Sequence, residues 1–120
     1  MPQYQNGCPK CKLSTGETKI KNILDDHNVN YIMEYVFPNC KYKAALPFDF
    51  YIESLNTCIE FNGRQHYIPI DYFGGTPMLA EQIIRDKIKI EYCRKNKIKL
   101  LIIKYTDDPK EKLKEFNIIK

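Results

Sequence analysis

No run of about 18 consecutive apolar residues occurs in this chain, so no segment is suited to cross a bilayer as a helix. The N-terminus also lacks an apolar signal core and a cleavage site, and the expectation is a soluble, intracellular protein that is not secreted. A disulfide framework is missing too. The five cysteines are odd in number, and Cys40, Cys58 and Cys93 read as small buried hydrophobes or inert thiols. There is no internal repeat and no low-complexity tract. At 120 residues the chain can build one core of several strands and a few helices, with no room for a second enzyme domain.

What is present begins with charge. Nineteen Lys and Arg stand against 15 Asp and Glu, a formal net charge of +4, with basic clusters at Lys10 to Lys21 and Arg94 to Lys99. This balance permits binding to phosphate backbones but equally suits solvated helix faces. Residues 1–13 read as an irregular arm carrying Cys8-Pro9-Lys10-Cys11, a spacing that lets two thiolates grip one tetrahedral zinc. That is half a zinc site. The second pair of ligands must come from elsewhere in the fold, from a partner chain or from residues before Met1.

The remainder, 14–120, reads as one domain. Ser14-Thr15-Gly16-Glu17 fits the S-x-x-E capping box, and Ile20, Ile23 and Leu24 follow at helical spacing, predicting a helix over 14–27. A strand is expected over 31–37, ended by Pro38, with a polar loop to Lys43; further strands are expected over 46–52 and 56–62, joined as a hairpin. A long helix over 77–96 places Leu79, Ile83, Asp86, Ile90 and Cys93 on one stripe. The apolar run 98–105 predicts a strand covered on both faces, and Asp108-Pro109 opens a last short helix. A strand reached through a long crossover helix usually lies parallel to an earlier one, so the expected fold is α/β, a small mixed central β-sheet flanked by helices.

Candidate chemistry concentrates in the middle of the chain. Strict alternation puts Phe48, Phe50 and Ile52 on one face of their strand and Asp49, Tyr51 and Glu53 on the other. In the next strand Ile59 and Phe61 oppose Cys58, Glu60 and Asn62. The hairpin can therefore set the Asp49 and Glu60 carboxylates side by side, where magnesium or manganese would suit the oxygen donors; the bland reading is two solvated acids on an open sheet face. Just past the strand end, Arg64, Gln65, His66 and Tyr67 add a guanidinium, an amide, an imidazole and a phenol. His66 is suited to act as general base, Arg64 to pair with phosphate and Tyr67 to stack on a base or sugar. Glu17 is either a plain capping residue or a core-facing carboxylate with work to do, and Asp86 either caps a metal cluster or bonds a basic residue such as Lys89.

Leu46-Pro47-Phe48-Asp49-Phe50-Tyr51, followed by Ile59-Glu60-Phe61-Asn62-Gly63 and then Gln65-His66, resembles the core of PD-(D/E)XK, or restriction-endonuclease-like, nucleases. The likeness is to the branch near very-short-patch-repair endonucleases and EDxHD homing endonucleases, and it runs from about Gly7 to Tyr105. The resemblance implies a magnesium-dependent endonuclease acting on DNA, of homing or of repair or restriction type. The resemblance itself implies Glu17, Asp49 and His66, with Asp86 matching the final acidic residue; joined to the residue reading, the expected catalytic set is Glu17, Asp49, Glu60, Gln65 and His66, with Asp49 and Glu60 holding the metal and Asp86 and Asn62 beside it or behind it. Arg64, Tyr67 and Lys89 would meet nucleic acid. The superfamily's E-x-K motif would put lysine where Asn62 stands, and Gln65, His66 or Lys89 are the candidates to replace it. The Cys8–Cys11 knuckle resembles the tail of zinc-knuckle repeats preceding such domains, which implies either a catalytic fragment or a minimal stand-alone form. Cutting both strands of a duplex calls for a homodimer or two sequential nicks. The rival readings are a non-catalytic DNA-binding module on the same fold, and a nuclease of RNA or single strands.

Overall fold

The computed structural model describes residues 13–67 and 75–120; the Cys8–Cys11 knuckle lies outside them. The element order is α1 (Thr15–Asp26), β1 (Ile32–Tyr42), β2 (Ala44–Ile52), β3 (Thr57–Asn62), α2 (Gly75–Lys95), β4 (Lys99–Lys104) and α3 (Pro109–Glu115), with single 3-10 turns at Glu53–Leu55 and Arg64–His66. The strands form one four-stranded sheet in chain order. β1–β2 and β2–β3 are antiparallel, while β4, reached through the long helix α2, pairs parallel with β3. The fold is therefore mixed α/β, a four-stranded mixed sheet flanked by helices, as expected. Among the described residues no helix is long and apolar enough to cross a membrane.

Local chemistry accounts for the helix ends. Ser14 Oγ accepts the Glu17 N–H at 3.1 Å and Glu17 Oε1 accepts the Ser14 N–H at 3.0 Å, so the capping box is complete. Asp108 caps α3 by accepting the Lys110 N–H, with Pro109 preset for the first turn. All three helices stop in the same way. A residue in the left-handed region (Asn28, Lys97, Asn117) is followed by Val29, Ile98 or Ile118, whose N–H reaches back to Leu24, Cys93 or Leu113.

The core has two layers. Ile20 and Leu24 of α1 and Leu113 of α3 pack on Phe50, Ile52, Ile59, Leu101 and Ile103 on one face. Under α2, Cys93 packs with Cys40, Leu46, Phe48, Tyr51 and Cys58, and Tyr35, Phe37 and Tyr92 close the layer. Each fully buried Ile, Leu or Phe contributes about 1.5–3 kcal/mol, which is what fastens both helical layers to the sheet. The three thiols are buried and free, as their reading as small hydrophobes anticipates.

Three features depart from the sequence reading. β1 does not end at Pro38 but runs to Tyr42, with a register shift between Val36 and Lys41; β1 is an edge strand, where proline's missing N–H is tolerated. The apolar stripe expected on α2 is only partly used, since Ile83 is 42% and Ile90 46% exposed while Cys93 is buried. The third bears directly on the site. Phe48 and Phe50 do not share a face: Phe48 packs under α2 and Phe50 under α1. Their partners in β1 do the same, Tyr35 opposite Phe48 and Met33 opposite Phe50. Both strands thus switch faces at the facing pair Glu34 and Asp49, and Glu34 takes φ 52° to do so. A non-glycine residue in that region costs about 1–3 kcal/mol, and the surrounding aromatic packing must hold it there.

Candidate active site

The face switch opens the β2–β3 ladder. Paired residues end at Phe50 and Ile59. Beyond them two carboxylates substitute for backbone acceptors: Glu60 Oε2 accepts the Asp49 N–H at 2.6 Å, and Asp49 Oδ2 accepts the Phe61 N–H at 2.8 Å. Strands that part would leave buried N–H groups without partners, at a cost of about 1–3 kcal/mol each, and these side chains meet that need while staying anchored themselves.

Around this break lies a cleft of about 450 Å³, with Glu17, Asp49, Glu60, His66, Arg85 and Lys89 in its walls. Carboxylate oxygens of Glu17, Glu34 and Asp49 lie within 4.8 Å of one another. Glu17 thus serves both readings open to it, since Oε1 caps α1 while the carboxylate stands at the mouth of the cleft. Burial raises the Asp49 carboxyl well above the usual carboxylate range, and the charges of Glu60 and Glu17 add to the effect. Loss of water around Glu34, together with Glu17, raises that carboxyl as well. Asp49 and Glu34, both raised in pKa, together with the Glu17 carboxylate offer hard oxygen donors of the kind that could hold magnesium or manganese.

Glu60, expected as the co-ligand of Asp49, is occupied differently. Its Oε1 receives Lys89 Nζ at 2.7 Å and its Oε2 the Asp49 N–H, and it is not among the three clustered carboxylates, where Glu34 stands instead. Burial raises its pKa, and Lys89 opposes that rise. Lys89, expected to meet nucleic acid, is a buried ion-pair partner: its side chain is 11% exposed and that of Glu60 8%, and Nζ sits 5.1 Å from the centre of the Phe48 ring. Lys89 thus brings a paired cation from α2 to the wall of the cleft.

Asp86 does not join the carboxylate cluster; it bonds a basic residue, which is His66 and not Lys89. Its Oδ2 lies 3.1 Å from His66 Nδ1, and its Oδ1 accepts Gln82 Nε2 at 2.9 Å. In the tautomer that donates Nδ1–H to Asp86, His66 Nε2 is an acceptor with no partner among the described residues, on a side chain that lines the cleft. Asn62 is buried and turned away from the cleft, donating to the Tyr67 hydroxyl at 3.2 Å. Arg64 is exposed on the 3-10 turn and does not line the cleft; the Gln65 side chain lies outside the described ones.

The match to known proteins is narrow. An uncharacterized protein of Frog virus 3 (isolate Goorha), protein 094L, is 45% identical over 64 residues, which span 52% of this chain and 41% of the viral protein. The chain therefore matches about two fifths of the length of that relative. No family model matches the sequence, and no solved structure matches it.

Sequence reasoning did not single out Glu34, Gln82 or Arg85. For the last two a signal existed: Gln82, Arg85, Asp86 and Lys89 follow the i, i+3, i+4, i+7 pattern of one helix face. Glu34 carried none, being one acid in an alternating strand.

Proposed function

We propose that this chain hydrolyses phosphodiester bonds in DNA with the help of a divalent cation, magnesium or manganese. The observation that carries the reading is that one cleft is lined by Glu17 and Asp49, which cluster with the exposed Glu34, by the buried Lys89–Glu60 pair and by a histidine that Asp86 orients. Glu17, Glu34 and Asp49 would hold the cation. Bound there, it supplies positive charge to the phosphate oxygens and acidifies a water.

The remaining work belongs to side chains of the chain itself. His66 Nε2 takes the proton from the attacking water as its oxygen bonds to phosphorus; the opposite P–O bond breaks and the leaving oxygen is protonated from solvent. Asp86 keeps the imidazole in the tautomer that can accept that proton, with Gln82 fixing Asp86 in turn. Lys89 supplies the positive charge that Asn62 cannot, held in place by Glu60. Of the residues that the EDxHD resemblance implies, Glu17, Asp49 and His66 line one cleft and Asp86 contacts His66, an arrangement that supports the reading.

Plasmid nicking or linearisation in MgCl2 or MnCl2 tests the reading. Asp49→Ala should reduce cleavage by at least about a thousandfold while the protein stays folded, the lost acceptor for the Phe61 N–H being partly offset by removal of a carboxyl that is reluctant to ionise. Equal cutting by the variant and the parent, or no cutting by the parent in any divalent metal, overturns it.

A further inference from the structure

A second groove adjoins the cleft, with His66 in the wall of both. It measures about 530 Å³ and runs between α2 and β4. Its floor is apolar, formed by Ile83, Ile90 and Ile102. Tyr67 stands at its rim and Tyr105 beside it, each 42% exposed, with ring centres 6.1 Å apart. Lys104 Nζ lies 5.9 Å from the centre of the Tyr67 ring.

The charges of the groove are unbalanced. Lys87, Lys104 and Lys112 line it against Asp86, which His66 and Gln82 engage, and Asp107, which accepts the Lys104 backbone N–H at 2.9 Å. Lys87 and Lys104 are exposed and form no ion pair among the described residues. Exposed aromatic faces over an apolar floor, flanked by unneutralised lysines, are complementary to a base carrying its phosphate.

We propose that this groove binds an unpaired nucleotide next to the phosphodiester to be cut, so that single-stranded or locally opened DNA is preferred over intact duplex. The physical reason is that bases inside a duplex are already covered on both faces by their neighbours, whereas an unpaired base can lie against Tyr67 or Tyr105. Lys104 and Lys87 then meet the flanking phosphates. The choice of DNA rests on the hydrolase reading; the stacking itself does not.

Fluorescence anisotropy in EDTA, which prevents metal-dependent cleavage, separates the two. A labelled oligothymidylate and a blunt duplex of equal length are titrated with the full chain at fixed salt. The single strand should bind about tenfold or more tightly than the duplex. Tyr105→Ser and Tyr67→Ser should each weaken single-strand binding by about tenfold with little change for duplex, and Tyr105→Phe should restore it, because the ring and not the hydroxyl does the stacking. Lys104→Glu, at an exposed position, covers the event that a tyrosine variant fails to fold and should weaken single-strand binding strongly. Equal affinity for the two probes, or single-strand binding indifferent to these substitutions, overturns the proposal. Tyrosine-dependent binding without cleavage in any metal would sink the hydrolase and spare the groove, whereas metal-dependent cutting without strand preference would do the reverse.

Discussion

Glu60 and Lys89 form a contact on which local energetics and proposed chemistry both depend. Both side chains are almost fully buried, and neither charge has another partner of opposite sign at ion-pair distance among the described residues. Removing one member of such a pair strands the other and costs about 3–5 kcal/mol, while replacing both with apolar groups of similar volume is often neutral. Lys89→Met should therefore lower unfolding free energy by about 3 kcal/mol near neutral pH. The loss should shrink in acid, where Glu60 can take up a proton. Lys89→Met combined with Glu60→Leu should recover most of the stability and none of the cleavage. Urea denaturation at two pH values reads this directly, and equal instability of single and double variants would show that the pair does not hold the cleft floor.

Helix α1 reaches the sheet through a glycine. A Cβ added to Gly16 would come within 2.1 Å of the Phe61 ring, closer than any side chain can lie, so the first turn of α1 touches the sheet because position 16 has no side chain. Glu17 is the next residue, so this close approach also delivers a carboxylate to the cleft. Gly16→Ala should cost about 1–3 kcal/mol through overpacking despite alanine's better helix propensity, and metal-dependent cleavage should fall together with stability. Differential scanning calorimetry beside a cleavage assay tests it; a stabilised, fully active variant would mean that α1 does not bear on Phe61. Element identity was largely legible beforehand. The capping box, the β-branched runs and the Asp108-Pro109 start each predicted an element that forms. The extension of β1 through Pro38 was not legible, because proline reads as a stop unless the strand is known to lie at an edge. The exposure of Ile83 and Ile90 was not legible either, since the helical period locates an apolar stripe but not the polar cleft and open groove that it faces.

For the molecule as a whole, the carboxylate cluster couples stability to pH and metal. Asp49, Glu60 and Glu34 all have pKa values raised in the fold, chiefly by burial. A raised carboxyl contributes stability that is fully present below its unfolded value, 3.8 for Asp and 4.5 for Glu, and that is lost as pH rises through the folded value. In chelator the protein should accordingly melt at a lower temperature near pH 8 than near pH 5. Magnesium or manganese should oppose the trend, with a shift of about 10 °C at a hundredfold excess over Kd that grows with pH. Glu34→Gln should reduce that metal-induced shift. Melting curves in EDTA and in metal across this range provide the check, and a midpoint that rises with pH in chelator, or that ignores metal, would contradict the cluster as drawn.

By itself the sequence determined the elements, the parallel return of β4 and most of the cleft: Glu17 through its capping box, Asp49 and Glu60 through their strands, His66 through the turn that follows. These are short-range consequences, settled by periodicity, capping and chain connectivity. Only the tertiary structure decided the partners. Glu34 meets Asp49 because two strands change faces at the same rung, Lys89 finds Glu60 because α2 crosses the sheet at one particular phase, and Asp86 turns to His66 for the same reason. Cross-strand register and helix phase are set by packing across the whole core, and no local run of residues encodes them alone.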